Sequence, residues 1–188
     1  MERKDFYFRK AKEEGYLARS VYKLLEINKK YNLIRKEDRV LDIGCSPGSW
    51  VQACLKLKVS EVIGIDIQEA KVEDNKFKFF KKDINKINLS NWGEFNVVLS
   101  DIAPSTSGNK DLDSSRSYEL SLKAFEITKK VLKENGNFLV KIFQGEEFPS
   151  LLTEIKKNFI FCKSFKPKST RSSSKEIYII AKNYRKAI

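Results

Sequence analysis

From residue 39 onward, short apolar runs alternate with longer segments in which apolar residues recur every three or four positions. The apolar runs predict buried strands, and the amphipathic segments predict helices. Strands are predicted at residues 39–43, 61–66, 76–80, 96–100, 137–142, 159–166 and 175–181. Helices are predicted at residues 49–58, 118–133 and 148–158.

Strands that alternate with helices predict a single α/β domain over residues 1–188, in which a mostly parallel seven-stranded sheet has helices on both faces. The last two strands are joined only by the polar loop 167–174, which is too short for a crossover helix. The last strand is therefore expected to be antiparallel. A second polar loop is predicted at 103–116.

The residues before the first strand form a basic segment, 1–35, which contains a helix that Ser20 caps and that runs to about Tyr31. Ahead of this helix, aromatic and basic residues are interleaved: Phe6, Tyr7, Phe8 and Tyr16 among Lys4, Arg9, Lys10, Lys12 and Arg19. The whole chain has 37 Lys and Arg against 25 Asp and Glu, a net charge of +12. This surplus favours nucleic acid over a membrane as partner, although a solubilising lysine-rich surface would carry the same charge.

The composition also excludes several classes of chemistry. The chain contains no histidine, which excludes Ser–His–Asp hydrolysis, Cys–His proteolysis and His-ligated metal sites. Its three cysteines lack C-x-x-C spacing, so we expect neither a disulfide framework nor a metal site. No segment resembles a secretory signal or a membrane span, which predicts a cytoplasmic protein without membrane contact.

The stretch RVLDIGCSPGSW places a glycine-containing loop between the first sheet strand and the next helix, where doubly wound folds bind their ligands. A dinucleotide fingerprint would require glycine at positions 44, 46 and 49, but Ser46 and Ser49 occupy the last two. The observed D-x-G-x-x-x-G pattern of Asp42, Gly44 and Gly48 is typical of S-adenosylmethionine (SAM) enzymes. We therefore predict SAM as the cofactor.

Two further carboxylates follow the next two strands, at Asp66 and Asp83. Asp66 can accept hydrogen bonds from both ribose hydroxyls of a nucleoside ligand. Asp83 can accept one from an adenine amino group. Each residue alone could be an aspartate that turns the chain, but three carboxylates after three successive strands predict a binding site.

A second group of charged residues is expected to face the same crevice. Asp101 ends the fourth strand, Lys141 lies near the end of the fifth, Glu176 opens the final strand, and Lys23 lies on the first helix. Taken singly, each is an ordinary residue of a solvated strand end or helix face. Lys141 is the least ordinary, since it interrupts the apolar run FLVKIF.

An ordered series of motifs resembles the FtsJ family of ribosomal RNA 2′-O-ribose methyltransferases over nearly the whole chain: RKAKEEGYLARSVYKLLEI, LDIGCSPGSW, IGIDI, VVLSDIAPSTSG, FLVKIFQG and STRSSSKEIYIIA. The resemblance implies a Rossmann-like, SAM-dependent methyltransferase fold. It implies that the catalytic residues are Lys23, Asp101, Lys141 and Glu176. It also implies SAM contacts at Gly48, Trp50, Asp66, Asp83 and Asp101.

The resemblance further implies that the substrate is the 2′-hydroxyl of a uridine in the A-loop of large-subunit (23S) ribosomal RNA. The expected partner is this RNA or an assembling large ribosomal subunit, and the enzyme is expected to be a monomer. Two alternatives remain open. One is a tRNA anticodon-loop 2′-O-methyltransferase, and the other is a ribosome-assembly factor that binds SAM without catalysis.

Methylation of a ribose hydroxyl explains why a buried strand would carry a lysine. A 2′-hydroxyl is a poor nucleophile, so catalysis requires alignment and removal of its proton. Lys141 could accept that proton once it is itself deprotonated, or it could remain charged and stabilise the developing alkoxide. From the sequence alone, Lys141→Ala is expected to leave stability unchanged or to improve it, because a charge leaves a buried strand.

Overall fold

The computed structural model describes residues 3–89, 92–105 and 107–186, with side chains from residue 6 onward. The strands are β1 (Arg39–Ile43), β2 (Glu61–Asp66), β3 (Phe77–Lys81), β4 (Phe95–Ser100), β5 (Leu132–Phe143), β6 (Phe159–Phe165) and β7 (Glu176–Tyr184). The helices are α1 (Arg3–Glu13), α2 (Val21–Tyr31), α3 (Ser49–Lys56), α4 (Lys110–Val131) and α5 (Phe148–Asn158), with a short 3-10 helix at Ile84–Lys86.

All seven strands form one sheet in the order β3-β2-β1-β4-β5-β7-β6. The pairs among the first five strands are parallel. Strand β7 runs antiparallel to both of its neighbours, β5 and β6. The structure therefore confirms the predicted α/β class, the mostly parallel seven-stranded sheet and the antiparallel last strand.

Each face of the sheet is covered by helices that bury a separate apolar cluster. On one face, α4 and α5 pack through residues such as Phe125 and Ile155 against Phe138. On the other face, α2 and α3 pack through residues such as Leu24 and Val51. Within the described ranges, no helix is both long and apolar enough to cross a membrane.

The largest departure from the predicted elements is the start of α4. The prediction of a loop over 103–116 is wrong from residue 110 onward, since α4 begins at Lys110 rather than at 118. Asn109 caps it, because its side-chain oxygen accepts hydrogen bonds from the backbone N–H groups of Asp111 (3.1 Å) and Leu112 (3.3 Å). The first turns of α4 lack the apolar periodicity on which the prediction depended, because serines face the sheet there.

Candidate active site

The order of the strands changes direction at β1. Strands β2 and β3 lie on one side of β1, and β4 and β5 lie on the other. In open α/β sheets, ligands bind at the carboxyl ends of the strands at such a point. Gly44 follows β1 and Asp101 follows β4 at this edge. The backbone N–H of Asp101 donates to the carbonyl of Ile43 at 3.2 Å, which fixes the two strand ends together.

The four residues predicted to be catalytic meet at this edge of the sheet. Lys141, which is 4% exposed, donates from Nζ to the backbone carbonyl of Asp101. The same nitrogen lies 3.0 Å from Asp101 Oδ1 and 4.0 Å from Glu176 Oε1. Nζ of Lys23 donates to both carboxylate oxygens of Glu176, at 2.8 and 3.0 Å. The four side chains thus form one continuous polar network.

Helix α4 holds the backbone of β5 where Lys141 projects. Strand β4 ends at Ser100, so the parallel ladder stops at Val140 and cannot pair the residues that follow. Ser121 donates its hydroxyl to the carbonyl of Lys141 at 2.8 Å, and the N–H of Phe143 donates to the Ser117 hydroxyl at 3.0 Å. The two serines therefore satisfy backbone groups that would otherwise be buried without partners.

Tyr178 is a member of the site that the sequence reading missed. It lies directly opposite Lys141 in the β5–β7 pairing, and its hydroxyl donates to Asp101 Oδ1 at 2.8 Å. Burial, and then the charges of Asp101 and Glu176, raise the pKa of Tyr178 well above its ordinary value. A signal was present, because a buried tyrosine needs a hydrogen-bond partner for its hydroxyl and Tyr178 lies two residues after Glu176 on one strand face.

Four of the predicted cofactor residues line one cavity of about 510 Å³, which falls in the usual range for small-molecule sites. They are Gly44, Asp66, Asp83 and Asp101. The carboxylate of Asp66 is oriented by the backbone N–H groups of Ser46 and Gln68, each at 2.9 Å. An ionised carboxylate can accept about four hydrogen bonds, so Asp66 retains acceptor capacity for a ligand.

The three other predicted cofactor residues, Asp42, Gly48 and Trp50, do not line this cavity. Trp50 is 2% exposed, and its indole N–H donates to the carbonyl of Ser20 at 3.0 Å, which ties α3 to the start of α2. Gly48 has a φ of 116°, and a Cβ there would lie 2.4 Å from Val72 Cγ2. A contact within the protein therefore accounts for the Trp50 side chain, and the close packing of Val72 accounts for glycine at position 48.

Asp42 is fully buried at the end of β1, and within the described residues neither of its carboxylate oxygens has a hydrogen-bond partner. Burial, together with the negative charges of Asp101 and Asp66, raises the pKa of Asp42 well above its ordinary value. Asp42 thus lies close enough to Asp101 and Asp66 for their charges to disfavour its ionisation beside the glycine loop. Such a site favours a cationic ligand, and SAM carries both a sulfonium and an ammonium group, so the residues fit this cofactor.

A second cavity, of about 420 Å³, opens beside the catalytic network and is bordered by Arg19, Lys23, Arg171 and Glu176. The loop between β6 and β7 forms one wall of this cavity. Two residues, one just before α2 and one on it, make hydrogen bonds to the backbone of this loop near Ser169.

The first of these residues, Arg19, donates to the carbonyl of Ser169 at 2.8 Å. The second, Glu26, accepts hydrogen bonds from the N–H groups of Lys168 (2.9 Å) and Ser169 (3.3 Å). The sequence reading missed the role of Glu26, because nothing in a helical pattern indicates a distant backbone partner. Across residues 3–89, 92–105 and 107–186, no group of acidic or cysteine side chains is placed to hold a metal ion.

Known proteins resemble this chain in sequence. The model of the FtsJ-like methyltransferase family matches residues 16–184. The ribosomal RNA large subunit methyltransferase E of Brachyspira hyodysenteriae is 42% identical over 186 residues, which cover 97% of this chain and 96% of that protein. The protein of the same name from Archaeoglobus fulgidus is 41% identical over 191 residues, with 98% of each chain covered.

A solved structure gives the same result for the fold. The crystal structure of a ribosomal RNA methyltransferase from Plasmodium falciparum superposes with a TM-score of 0.78 at 31% sequence identity. The superposition covers 90% of this chain and 98% of that chain.

Proposed function

Because the chain belongs to the FtsJ-like methyltransferase family, we propose that it transfers a methyl group from SAM to the ribose 2′-hydroxyl of a uridine in large-subunit ribosomal RNA. The observation that carries this proposal is the convergence of Lys23, Asp101, Lys141 and Glu176 beside the 510 Å³ cavity. A cofactor-binding protein without catalysis would have no use for a buried lysine that pairs with Asp101, a residue lining the cofactor cavity.

In this proposal, SAM occupies the cavity and supplies an electrophilic methyl group. Asp66 accepts hydrogen bonds from the ribose hydroxyls, and Asp83 accepts one from the adenine amino group. The backbone N–H groups of the first turn of α3, including that of Trp50, have no intrahelical partners and can bind a carboxylate. Asp101 favours the cationic end of the ligand electrostatically, and the nearby cation would in turn favour the ionised form of Asp42.

Lys141 is the group that meets the attacking hydroxyl. Asp101 and Glu176 hold its nitrogen in place, and Lys23 balances the charge of Glu176. As a neutral amine, Lys141 would accept the proton of the hydroxyl. As an ammonium, it would stabilise the oxygen as negative charge develops. The two forms predict opposite pH dependences of the chemical step, since the first gains and the second loses activity when Lys141 is deprotonated.

The RNA is expected to enter from the 420 Å³ cavity, where Arg19 and Arg171 can contact phosphates. Residues 6–35 of the basic segment extend this surface, and Lys23 on α2 reaches into the site. The side chain of Lys4, which the sequence also assigned to this surface, lies outside the described residues. We propose that residues 1–188 act as one monomeric methyltransferase unit in the cytoplasm.

The relatives' names support ribosomal RNA as the substrate, and we propose a uridine of the A-loop in an assembling large subunit as the target. The test is incubation with methyl-labelled SAM and three separate acceptors: naked large-subunit RNA, large subunits lacking the modification, and tRNA. Mapping of the labelled nucleotide to a large-subunit uridine 2′-oxygen is the expected result. Label in the tRNA anticodon loop would support the alternative substrate, and absence of label in all three acceptors would contradict methyl transfer.

A further inference from the structure

Helix α1 presents two aromatic side chains to solvent, Phe6 (53% exposed) and Phe8 (62% exposed). Every other phenylalanine, tyrosine and tryptophan side chain in the described part of the chain is buried or half-buried. Tyr7 lies between them and packs against Tyr22 with ring centroids 5.3 Å apart, so α1 is anchored through Tyr7. Because exposed aromatic surface is unfavourable in water, two exposed rings on the same anchored helix indicate a ligand.

Cationic side chains lie near these rings, and one of them, Lys10, also pairs with Glu14 at 3.7 Å. Nζ of Lys10 lies 6.0 Å from the centroid of the Phe6 ring and 5.1 Å from that of Tyr22. Lys12 lies in the last turn of the same helix. Aromatic faces among cations suit a ligand that has aromatic faces of its own and an anionic backbone, which describes unpaired nucleotides.

The placement of the two rings disfavours a membrane surface. Residues two positions apart on a helix are separated by about 200° around its axis. Phe6 and Phe8 therefore flank the anchored face on opposite sides and form no continuous apolar stripe, which an interfacial membrane helix requires.

Helix α1 is also connected to the 420 Å³ cavity through Arg19. The guanidinium of Arg19 lies 5.6 Å from the ring centroid of Tyr7 on α1. The same Arg19 borders the cavity that contains Lys23 and Glu176. A strand of RNA that has its target ribose in this cavity can thus extend onto α1.

We propose that α1 is a stacking platform for unpaired nucleotides of the substrate RNA, with bases on Phe6 and Phe8 and phosphates near Lys10 and Lys12. This inference rests on the proposed function, because it takes the RNA in the crevice to be the substrate. It adds that the enzyme prefers target sites with single-stranded neighbours over continuous duplex.

The test compares the double variant Phe6→Ala/Phe8→Ala with wild type, using a fluorescent single-stranded RNA and a duplex RNA in anisotropy titrations. We expect affinity for the single strand to fall about 10- to 100-fold, and that for the duplex less than about twofold. The slope of log Kd against log salt should stay unchanged, because no charge is removed. Phe6→Trp/Phe8→Trp should restore binding. Ile160→Ala, which removes a 59% exposed apolar side chain from the start of β6, is the matched control and should have no effect.

Unchanged affinity for the single strand, or an equal loss for single strand and duplex, would overturn the stacking platform. So would wild-type binding to anionic phospholipid vesicles that the double variant loses while its RNA affinity is retained. Methyl transfer by the wild type to large-subunit RNA is measured separately. If the wild type methylates this RNA and the double variant binds and methylates it equally well, the stacking inference fails while the proposed function stands. If the wild type transfers no methyl group, the proposed function fails independently of the binding data.

Discussion

Replacing Lys141 tests the proposed chemistry directly. Lys141→Met keeps most of the side-chain volume while it removes the nitrogen that lies 3.0 Å from Asp101 Oδ1. If that nitrogen handles the proton of the 2′-hydroxyl or stabilises the developing charge, methyl transfer should slow about 10²- to 10⁴-fold. Lys141→Arg should slow methyl transfer as well. A guanidinium cannot act as a base, and its planar fork does not fit a position where one nitrogen contacts one hydroxyl.

The structure also changes the expected effect on stability. The sequence suggested that loss of a buried charge would do no harm, but Lys141 is paired with Asp101, whose side chain is only 17% exposed. Removal of one partner of a buried pair leaves the other charge uncompensated, at a cost of about 3–5 kcal/mol. Tyr178 still donates to Asp101, so we expect the lower end, about 3 kcal/mol, or a Tm lowered by about 6–12 °C.

The assay is single-turnover methyl transfer at saturating SAM and RNA, at a temperature where circular dichroism shows the variants to be folded. Lys163→Met is the matched control, because Lys163 is an exposed lysine on strand β6. SAM affinity should change little, since a cation beside the sulfonium does not help to hold it. If both Lys141 variants retain more than about a tenth of the wild-type rate, which is a loss below about 1.4 kcal/mol, the catalytic role of Lys141 is wrong.

Three further predictions concern the aspartates and Tyr178. Asp66→Ala should weaken SAM binding about 10- to 100-fold in calorimetry, through the loss of charge-assisted hydrogen bonds; unchanged affinity in a folded variant would remove Asp66 from the site. The raised pKa of Asp42 means that the native state keeps this proton to higher pH than the unfolded chain, so the stability it contributes is lost as pH rises above about 4. Without cofactor, Asp42→Asn should therefore raise Tm more at pH 8 than at pH 4, and equal shifts would contradict the assignment. Tyr178→Phe should lower the transfer rate about tenfold with unchanged SAM affinity, because Asp101 loses its orienting donor; a wild-type rate would show that the hydroxyl only fills space.

The strands and the buried position of Lys141 were predictable because they leave strong local signals. Apolar residues at every second position, or in an unbroken run, identify strands whatever they pack against. Helix α5 was predicted with the bounds that the structure shows, Phe148–Asn158. Lys141 was conspicuous because a charge interrupts a buried run. Asp66 and Asp83 followed from their positions after strands, since parallel strands bring their carboxyl ends to one edge.

The elements that the sequence did not reveal depend on partners distant in the chain. The first turns of α4 carry serines because these serines bind groups distant in the chain. The Ser115 hydroxyl donates to the Glu147 carboxylate at 2.7 Å, and the Ser117 hydroxyl accepts from the N–H of Phe143 at 3.0 Å. No local pattern distinguishes such serines from those of a polar loop. Glu26 similarly binds a backbone loop 142 and 143 residues away, a contact that only the folded chain defines.

The position of β7 has a consequence for folding during synthesis. This strand follows the other six described strands in the chain, yet it lies between β5 and β6 and supplies Glu176, which pairs with Lys23 across 153 residues of sequence. A chain emerging from the ribosome can form β1 to β4 early, but the proposed catalytic network is incomplete until β7 has been released and inserted. Under the proposed mechanism, methyl transfer thus requires β7 to be in place, and a chain truncated before Glu176 would keep the 510 Å³ cavity but lack the assembled four-residue network.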